Sequence, residues 1–207
     1  MSGAPSTLSI SSGTISGTPI NANVGQHTIV VTATDDGTGT LSVSDTFILT
    51  VTNTNDAPTF TSTAVTTSTE DTGYAYIAVT TDAESEAITI TGTSIPSWTT
   101  LVDLGTGQAV LSGTPDNGDV GTYSVELTAT DASGATATQS YTLTVANAND
   151  APTVANAIAD ASIAEDAAYS ISVSSVFADV DVGDTLTYTM SGAPSTLSIS
   201  SGTISGT

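Results

Sequence analysis

The side chains in this sequence that could do chemistry are carboxylates, and no basic residue is present to pair with them. The chain has 21 Asp and Glu residues, one His, and no Lys, Arg or Cys. Clustered carboxylates without a cationic partner repel one another and raise one another's pKa values. Calcium relieves such repulsion, because it binds about six to eight oxygens from carboxylates, Asn side chains, carbonyls and water. The composition therefore favours cation binding.

These carboxylates occur in motifs that repeat along the chain. The pairs are Glu70-Asp71 and Glu165-Asp166 (165 − 70 = 95), Asp82-Ala83-Glu84 and Asp179-Val180-Asp181 (179 − 82 = 97), Asp131 and Asp35 (131 − 35 = 96), and Asn53-Thr54-Asn55-Asp56 and Asn147-Ala148-Asn149-Asp150 (147 − 53 = 94). Several lie at predicted strand ends or in linkers, where successive domains meet. The spacing predicts a repeated acidic site at each junction. The alternative is that these residues serve turns and solubility in solvated loops.

A longer repetition shows that the unit of architecture is a domain of about 95 residues. Residues 190–207 are identical to residues 1–18, an offset of 189 (190 − 1) that accommodates two related units. The predicted domains are the C-terminal part of a split repeat, one complete repeat and the N-terminal part of the next: 1–56, 57–150 and 151–207. Since Met1 matches Met190 inside a unit, we expect the chain to be a window from a longer tandem array.

Alternation of apolar and polar residues with a period of two predicts strands. It is strict in 123–129 and 141–145, and it also occurs in 47–51 and 185–189. Turn sequences such as Asp116-Asn117-Gly118-Asp119 separate these segments. About seven strands are expected in the complete repeat, which predicts an all-β fold of tandem seven-stranded antiparallel β-sandwiches.

One corner of the predicted sandwich can be recognised in the sequence. Residues 119–123 have the D-x-G-x-Y pattern of a tyrosine corner, in which a tyrosine hydroxyl binds the preceding loop. The matching residues of the split repeat are Asn23, Gly25 and His27 (123 − 27 = 96). We therefore interpret the only histidine as a packing residue in place of Tyr123, and not as a catalytic or metal-binding group.

Composition also excludes several classes of partner. A chain with a net charge of −21 and no Lys or Arg cannot neutralise phosphates, so neither nucleic acid nor anionic membrane is an expected partner. No apolar run reaches the length of about 20 residues that a membrane span needs. Without cysteine, these small domains need a stabilising element other than disulfides. Any export signal is expected to lie outside this window.

The motifs together resemble the cadherin-like and immunoglobulin-like repeats of large bacterial extracellular adhesins, of the dystroglycan-type cadherin-like and putative Ig families. The resemblance covers the whole chain. The segments that carry it are Asn-Asp-Ala-Pro at 55–58 and 149–152, residues 177–188, Ser97-Trp98, Ser112-Gly113-Thr114-Pro115 leading to Tyr123, and Val-Thr-Ala-Thr-Asp at 31–35 with Leu-Thr-Ala-Thr-Asp at 127–131.

This resemblance implies Ca²⁺ between consecutive domains. At the junction near residue 56 the implied ligands come from the preceding unit, the linker and the following unit: Glu165, Asn53, Asn55, Asp56, Asp82, Glu84 and Asp131. At the junction near residue 150 they are Glu70, Asn147, Asn149, Asp150, Asp179, Asp181 and, from the next copy, Asp35. The first linker position is Asn instead of Asp, Ala57 and Ala151 replace an Asn, and no clear Asp-Arg-Glu motif is present. Fewer ions or weaker binding at each junction is expected.

The function expected from these features is that of a structural extender in a secreted, extracellular protein for cell adhesion or a filament. Its partners would be neighbouring repeats of the same chain. The alternative is a module that binds a carbohydrate or another surface ligand. The single Trp98 lies in a context typical of a core residue instead of a sugar platform, and aromatic residues make up only 5% of the chain. An exposed Trp98 would favour the binding module.

Two further possibilities follow from the residues. Residues 151–207 begin a domain that residues 1–56 of another copy could finish, so copies could join head to tail into a filament by strand exchange. The duplicated 18 residues would be redundant at each joint, which favours a continuous array. Enzymatic activity is not expected, because the sequence has no nucleophile elbow, phosphate-binding glycine loop or histidine–carboxylate set.

Overall fold

The computed structural model describes all 207 residues, which form short and long strands with two single-turn 3-10 helices at Asn21–Asn23 and Asn117–Asp119. It contains no helix of the length and hydropathy that crossing a membrane requires. The strands are β1 (Leu8–Ser11), β2 (Thr14–Gly17), β3 (Gly25–Thr34), β4 (Ser42–Val51), β5 (Thr59–Phe60), β6 (Thr67–Thr69), β7 (Tyr74–Thr81), β8 (Ile88–Ser94), β9 (Thr99–Asp103), β10 (Gln108–Gly113), β11 (Gly121–Asp131), β12 (Thr136–Ala146), β13 (Thr153–Val154), β14 (Tyr169–Ser172), β15 (Phe177–Ala178), β16 (Leu197–Ser200) and β17 (Thr203–Gly206). The predicted all-β fold is confirmed.

Residues 57–150 form two four-stranded sheets, with strand orders β5-β7-β10-β9 and β6-β12-β11-β8. The longest ladder joins β11 and β12, from Gly121↔Val145 to Thr130↔Thr136. Along β11, buried and more exposed residues alternate, as the period-two pattern predicts. The two sheets therefore enclose one core between their apolar faces.

The first strand of this repeat is divided between the two sheets. β5 pairs antiparallel with β7, whereas β6 pairs parallel with β12. Because the chain crosses from one sheet to the other between Phe60 and Thr67, the predicted seven strands become eight separate segments. The division makes β5 and β6 edge strands of their two sheets and makes β6–β12 the single parallel pairing of this sandwich.

The core of residues 57–150 consists of eleven buried side chains from both sheets, among them Leu111, Leu127 and Leu143. Trp98 packs against this cluster, and its ring meets those of Tyr74 and Tyr123 edge to face at centroid distances of 5.9 and 6.1 Å. Such aromatic contacts add to the free energy of burial. Trp98 is thus a partly buried core residue, as its sequence context predicts.

The tyrosine corner is present in the complete repeat, and its histidine counterpart makes the same contact. Tyr123 Oη donates to the Asp119 carbonyl at 2.9 Å. His27 Nε2 lies 2.7 Å from the Asn23 carbonyl, four residues upstream in each case. Both side chains tie the start of a long strand to the preceding 3-10 turn, which confirms the structural interpretation of His27.

The two ends of the chain contain fewer paired strands. Residues 1–56 form the hairpins β1–β2 and β3–β4, and residues 151–207 form the β13–β15 pair and the sheet β14-β17-β16. The predicted strand at 185–189 is wrong for this structure, because these residues have no strand partner. Their counterpart β8 pairs with β11, whose counterpart β3 lies at the other end of the chain.

Candidate metal centre

Glu70 follows β6 directly and points into the second linker. Its backbone amide donates to the Ala146 carbonyl at 3.0 Å, which continues the β6–β12 pairing by one residue. The side chain is fully buried, and Oε1 accepts a hydrogen bond from the Ala148 amide at 2.7 Å. The other carboxylate oxygen, Oε2, is buried without any hydrogen-bond donor. An unpartnered buried carboxylate oxygen is costly, so this atom needs an explanation.

Two more carboxylates converge on Glu70. One oxygen each of Glu70, Asp150 and Asp181 lie within 4.8 Å of one another. Asp181, only 5% exposed, accepts from the Asp150 amide at 2.7 Å and from Asn147 Nδ2 at 2.9 Å. The group therefore combines one side chain from the complete repeat, one from the linker and one from the following segment.

A second group of carboxylates shares Asp181. Oxygens of Asp179, Asp181 and Asp184 also lie within 4.8 Å of one another. Asp179 Oδ1 accepts from the Asp181 amide at 3.0 Å. Asp184 is not in the predicted ligand set, although it follows the predicted Asp179-Val180-Asp181 motif by three positions.

At the linker near residue 56, equivalent residues make equivalent hydrogen bonds. The Asp56 amide donates to Glu84 Oε2 at 3.1 Å, as the Asp150 amide does to Asp181. Asp82 Oδ1 accepts from the Glu84 amide at 2.8 Å. Its second oxygen, Oδ2, is buried without a partner. The sequence equivalence of the two junctions is therefore also an equivalence of hydrogen bonding.

Asp131 lies at the end of β11 and connects the complete repeat to the first linker. Asn55 Nδ2 donates to Asp131 Oδ2 at 2.8 Å, and the Ala135 amide donates to Oδ1 at 2.8 Å. The Asn55 amide and then the backbone amides of the turn hold the pKa of Asp131 below its usual value. Asn55 Oδ1 is buried and unpartnered, so it is a further oxygen available at this junction.

Two asparagines outside the predicted ligand sets also contact the linkers. Asn117 Nδ2 donates to Asp150 Oδ2 at 2.6 Å, and Asn21 Nδ2 donates to Asp56 Oδ2 at 3.2 Å. Asn21 also donates to Glu84 Oε1. Each Asn lies in the 3-10 turn before the tyrosine or histidine corner, 96 residues apart (117 − 21). That spacing is the signal that could have identified them.

Other predicted residues do not join these groups. Glu165 and Asp35 are exposed in the incomplete repeats and contact neither linker; Asp35 accepts from the Gly37 and Leu41 amides of its own turn. Asn53 is exposed, and Asn149 donates to the Asp150 carbonyl at 3.2 Å. The predictions for Glu165 and Asp35 require another copy of the repeat, so the single chain does not test them.

The chemistry of both junctions is that of hard oxygen donors. Their side chains are carboxylates and carboxamides, with neither thiolate nor imidazole among them, which suits Ca²⁺ and not Zn²⁺. Glu70 Oε2, Asp82 Oδ2 and Asn55 Oδ1 are buried oxygens with no donor. These donor sets fit a calcium ion.

Comparison with known proteins agrees with this fold. A family model described as "Putative Ig domain" matches residues 1–52, 57–146 and 151–207. No curated protein matches the chain. Among solved structures, the extracellular domain of protocadherin GammaB4 has a TM-score of 0.53 at 21% identity over 96% of this chain and 37% of its own. This likeness shows the fold alone.

Two other solved structures are similar over part of the chain. The endo-fucoidan hydrolase MfFcnA4 of glycoside hydrolase family 107 has a TM-score of 0.41 at 25% identity, covering 70% of this chain and 22% of its own. The SrpA adhesin from Streptococcus sanguinis has a TM-score of 0.41 at 11% identity, covering 49% of this chain and 65% of its own. The chain thus spans about a fifth of the hydrolase, and likenesses at this TM-score carry no argument about function.

Proposed function

Since the chain belongs to the family described as Putative Ig domain, we propose that it is a structural extender whose junctions between repeats are stiffened by calcium. Glu70, Asp150 and Asp181 would hold the ion at the second junction, with Asp179 and Asp184 in the adjoining group. At the first junction the ligands would come from Asp56, Asp82, Glu84, Asn55 and Asp131. Bound calcium would supply positive charge that the chain itself lacks.

The observation that carries this proposal is Glu70 Oε2. It is a carboxylate oxygen buried without a donor, in a chain that has no Lys or Arg, beside the carboxylates of Asp150 and Asp181. Burying a charge is unfavourable unless it is paired or coordinates a metal. A divalent cation stabilises all three carboxylates at once. Turn formation or solubility alone gives no reason to bury this oxygen.

Stiffening follows from the origin of the three side chains. Glu70 belongs to the sandwich of residues 57–150, Asp150 to the linker, and Asp181 to the segment that begins the next repeat. With calcium present, attraction to one ion would restrict the angle between the two domains. Without calcium, repulsion among the carboxylates would favour an extended and mobile linker. The ion would therefore convert a flexible junction into a rigid one.

We propose that this role is performed outside the cell. Calcium sites of extracellular modules work at concentrations of about 10⁻⁴ to 10⁻³ M, and one solved relative of the fold is the extracellular domain of a protocadherin. We propose that the repeats lengthen an extracellular adhesin or filament and have no enzymatic activity. The partners are neighbouring repeats of the same chain.

The test is to measure the melting temperature of the whole chain in calcium and in EDTA. Melting is monitored by the fluorescence of Trp98. Because Trp98 is the only tryptophan and lies in the core of residues 57–150, its emission reports the repeat that supplies Glu70. At a calcium concentration about a hundredfold above Kd, binding adds about 2.7 kcal/mol of stability. For a domain of this size that corresponds to a rise of about 10 °C or more. Equal melting temperatures in the two solutions would overturn the calcium mechanism.

Glu70→Gln and Glu126→Gln form a matched pair for this test. Glu70→Gln removes the buried charge from the cation site, so we expect it to abolish most of the calcium-dependent rise without lowering the melting temperature in EDTA. Glu126 lies on β11 and its carboxylate accepts only from Ser140 at 3.3 Å, far from the linker in sequence. Glu126→Gln should retain the full rise. If both variants retain it, Glu70 is not a ligand.

A further inference from the structure

One asparagine at a junction is followed by glycine, which makes its side chain chemically labile. Of the eight asparagines in the chain, Asn117 is the single one that precedes a glycine. The backbone nitrogen that follows an asparagine can attack the side-chain carbonyl carbon, and glycine hinders this attack least because it has no Cβ. Asn117 is also the residue whose amide donates to Asp150 Oδ2 at 2.6 Å. A change at Asn117 therefore acts directly on the second junction.

The shape of the turn does not require this glycine. Gly118 is not among the glycines with positive φ, so alanine can adopt its backbone conformation. The equivalent turn of the split repeat has Ala22 at this position (118 − 22 = 96), and Asn21 there donates to the linker carboxylate of Asp56. A Cβ at position 118 would lie 3.2 Å from Oδ1 of Asp116, whose side chain is exposed and can shift. The glycine is thus not a structural necessity here.

The turn at Asn117 is held by fewer backbone hydrogen bonds than the turn at Asn21. In the split repeat the Val24 amide donates to the Asn21 carbonyl at 3.1 Å, whereas the structure has no corresponding bond from Val120 to the Asn117 carbonyl. Gly118 is also exposed to solvent. Local opening of such a segment costs less free energy than unfolding the repeat, so Asn117 can reach a reactive conformation in the folded chain.

A carboxylate already contacts the attacking nitrogen. The Gly118 amide donates to Asp116 Oδ1 at 2.8 Å, so this carboxylate can accept the proton that the nitrogen must lose when it attacks. A side chain positioned in this way acts as a general base. The corresponding residue of the split repeat is Ile20, whose side chain cannot accept a proton. The glycine and the base therefore both distinguish the second junction from the first.

We propose that Asn117 is a site of self-modification, at which the side-chain amide is lost and the second junction gains a carboxylate with time. The Gly118 nitrogen forms a bond to Asn117 Cγ and gives its proton to Asp116. The bond between Cγ and Nδ2 breaks, and Nδ2 takes up that proton and leaves as ammonia. One water molecule then opens the cyclic imide at either of its carbonyl carbons. The products are aspartate and isoaspartate, and no other reactant is needed.

The modification reverses the interaction at the linker. The amide that donates to Asp150 Oδ2 is replaced by a carboxylate, so two like charges face each other in place of a hydrogen bond of 2.6 Å. Like charges at such a distance repel each other. The first junction retains the amide of Asn21. If the proposed function holds, on which this last step rests, the new carboxylate is a further calcium ligand, and the second junction depends more on calcium as the protein ages.

Mass spectrometry of the whole chain tests the modification. The folded chain is kept in EDTA at physiological temperature for several weeks, and samples are digested with a protease that cleaves after aromatic residues. The fragment 99–123 contains Asn117 as its single asparagine, and fragmentation of the peptide distinguishes it from Gln108. We expect Asn117 to gain the mass difference between an amide and a carboxyl group. Asn21 should convert more slowly by a factor of about ten or more, a barrier difference of about 1.4 kcal/mol.

Two variants serve as matched comparisons. Gly118→Ala reproduces the residue pair of the first junction, so it should retain the amide and keep its melting temperature during storage. Asp116→Ser keeps a hydroxyl that can cap the turn but removes the base, so it should convert more slowly than the wild-type chain. The stored wild-type chain should melt at a lower temperature in EDTA than the fresh chain, because of the new repulsion at Asp150. Melting is monitored by the fluorescence of Trp98.

Several results would contradict the proposal. It is overturned if Asn117 keeps its amide in the folded chain while the chain unfolded in urea converts completely, or if Gly118→Ala converts as fast as the wild-type chain. An unchanged rate in Asp116→Ser would overturn the role of this carboxylate, and conversion without a change in melting temperature would overturn the effect on the junction. Because these readouts are made in EDTA, they do not depend on the calcium sites. A larger calcium-dependent rise after storage would support the additional ligand, and an unchanged rise would exclude it.

Discussion

Asn21 and Asn117 make the same contact in two different repeats: each side-chain amide donates a hydrogen bond to the aspartate of the linker that follows it. The two residues are 96 positions apart and lie in equivalent 3-10 turns. An amide donor lowers the repulsion at a linker carboxylate without adding charge. The turn before the corner is therefore part of each junction, next to the acidic loop of the following segment.

The role of Asn117 can be tested with an isosteric change of charge. Asn117→Asp adds a carboxylate beside Asp150, so in EDTA the repeat should lose roughly 1–4 kcal/mol of stability. The added carboxylate ligand should also enlarge the difference in melting temperature between calcium and EDTA. Melting is monitored by the fluorescence of Trp98. Asn156→Asp is the control, because the side chain of the exposed Asn156 donates only to the Ser175 carbonyl. Equal effects of both variants would show that Asn117 acts merely as a turn residue.

Asp131 predicts how stability depends on pH in EDTA. Its folded-state pKa is lowered below the ordinary value of 3.8, chiefly by the Asn55 amide. A lowered folded-state pKa contributes stability above the unfolded-state pKa, and this contribution is lost as pH falls through the folded-state pKa. The free energy of unfolding should therefore decline below about pH 4. Asp131→Asn should lower stability at neutral pH and flatten this decline. The free energy of unfolding is measured by urea titration at several pH values, and an unchanged pH dependence in the variant would contradict the assignment.

A substitution at the tyrosine corner should lower stability without changing the calcium-dependent rise in melting temperature. Tyr123→Phe removes the hydroxyl that donates to the Asp119 carbonyl, and a net hydrogen bond contributes about 0.5–1.5 kcal/mol. The melting temperature should fall by about 4–8 °C for each kcal/mol lost. Tyr188→Phe removes a hydroxyl for which the structure has no hydrogen bond, and should melt as the wild-type chain does. The calcium-dependent rise should be the same in both variants.

Much of the complete repeat could be predicted because its signals are local. The alternation along 123–129 and 141–145 identifies the two longest strands, and the D-x-G-x-Y pattern identifies the corner that joins them to a turn. The spacing of the repeated motifs indicated an acidic site at each linker, whereas the partners of the linker aspartates were implied by the resemblance to cadherin-like repeats. These features depend on residue types within a few positions, which a single sequence displays directly.

The remainder depends on pairing partners that are distant in sequence. The alternation at 185–189 is a valid strand pattern, but a strand forms only when another strand supplies its hydrogen bonds. The division of the first strand between the two sheets likewise depends on β7 and β12, and not on the residues of β5 and β6. Asn117 looked like an ordinary turn residue because its contact with Asp150 is made across 33 positions.

The parallel pairing of β6 with β12 has a mechanical consequence. β6 lies near the N-terminal linker of the repeat and β12 near the C-terminal linker, so tension along the chain pulls the two strands in opposite directions along their own axes. The ladder Thr144↔Thr67 to Ala146↔Thr69, with the adjoining Glu70–Ala146 hydrogen bond, is then loaded in shear. Its bonds must break together instead of one after another, as they would in an unzipping hairpin. Stretching force is thus resisted at the same edge of the sandwich that holds Glu70.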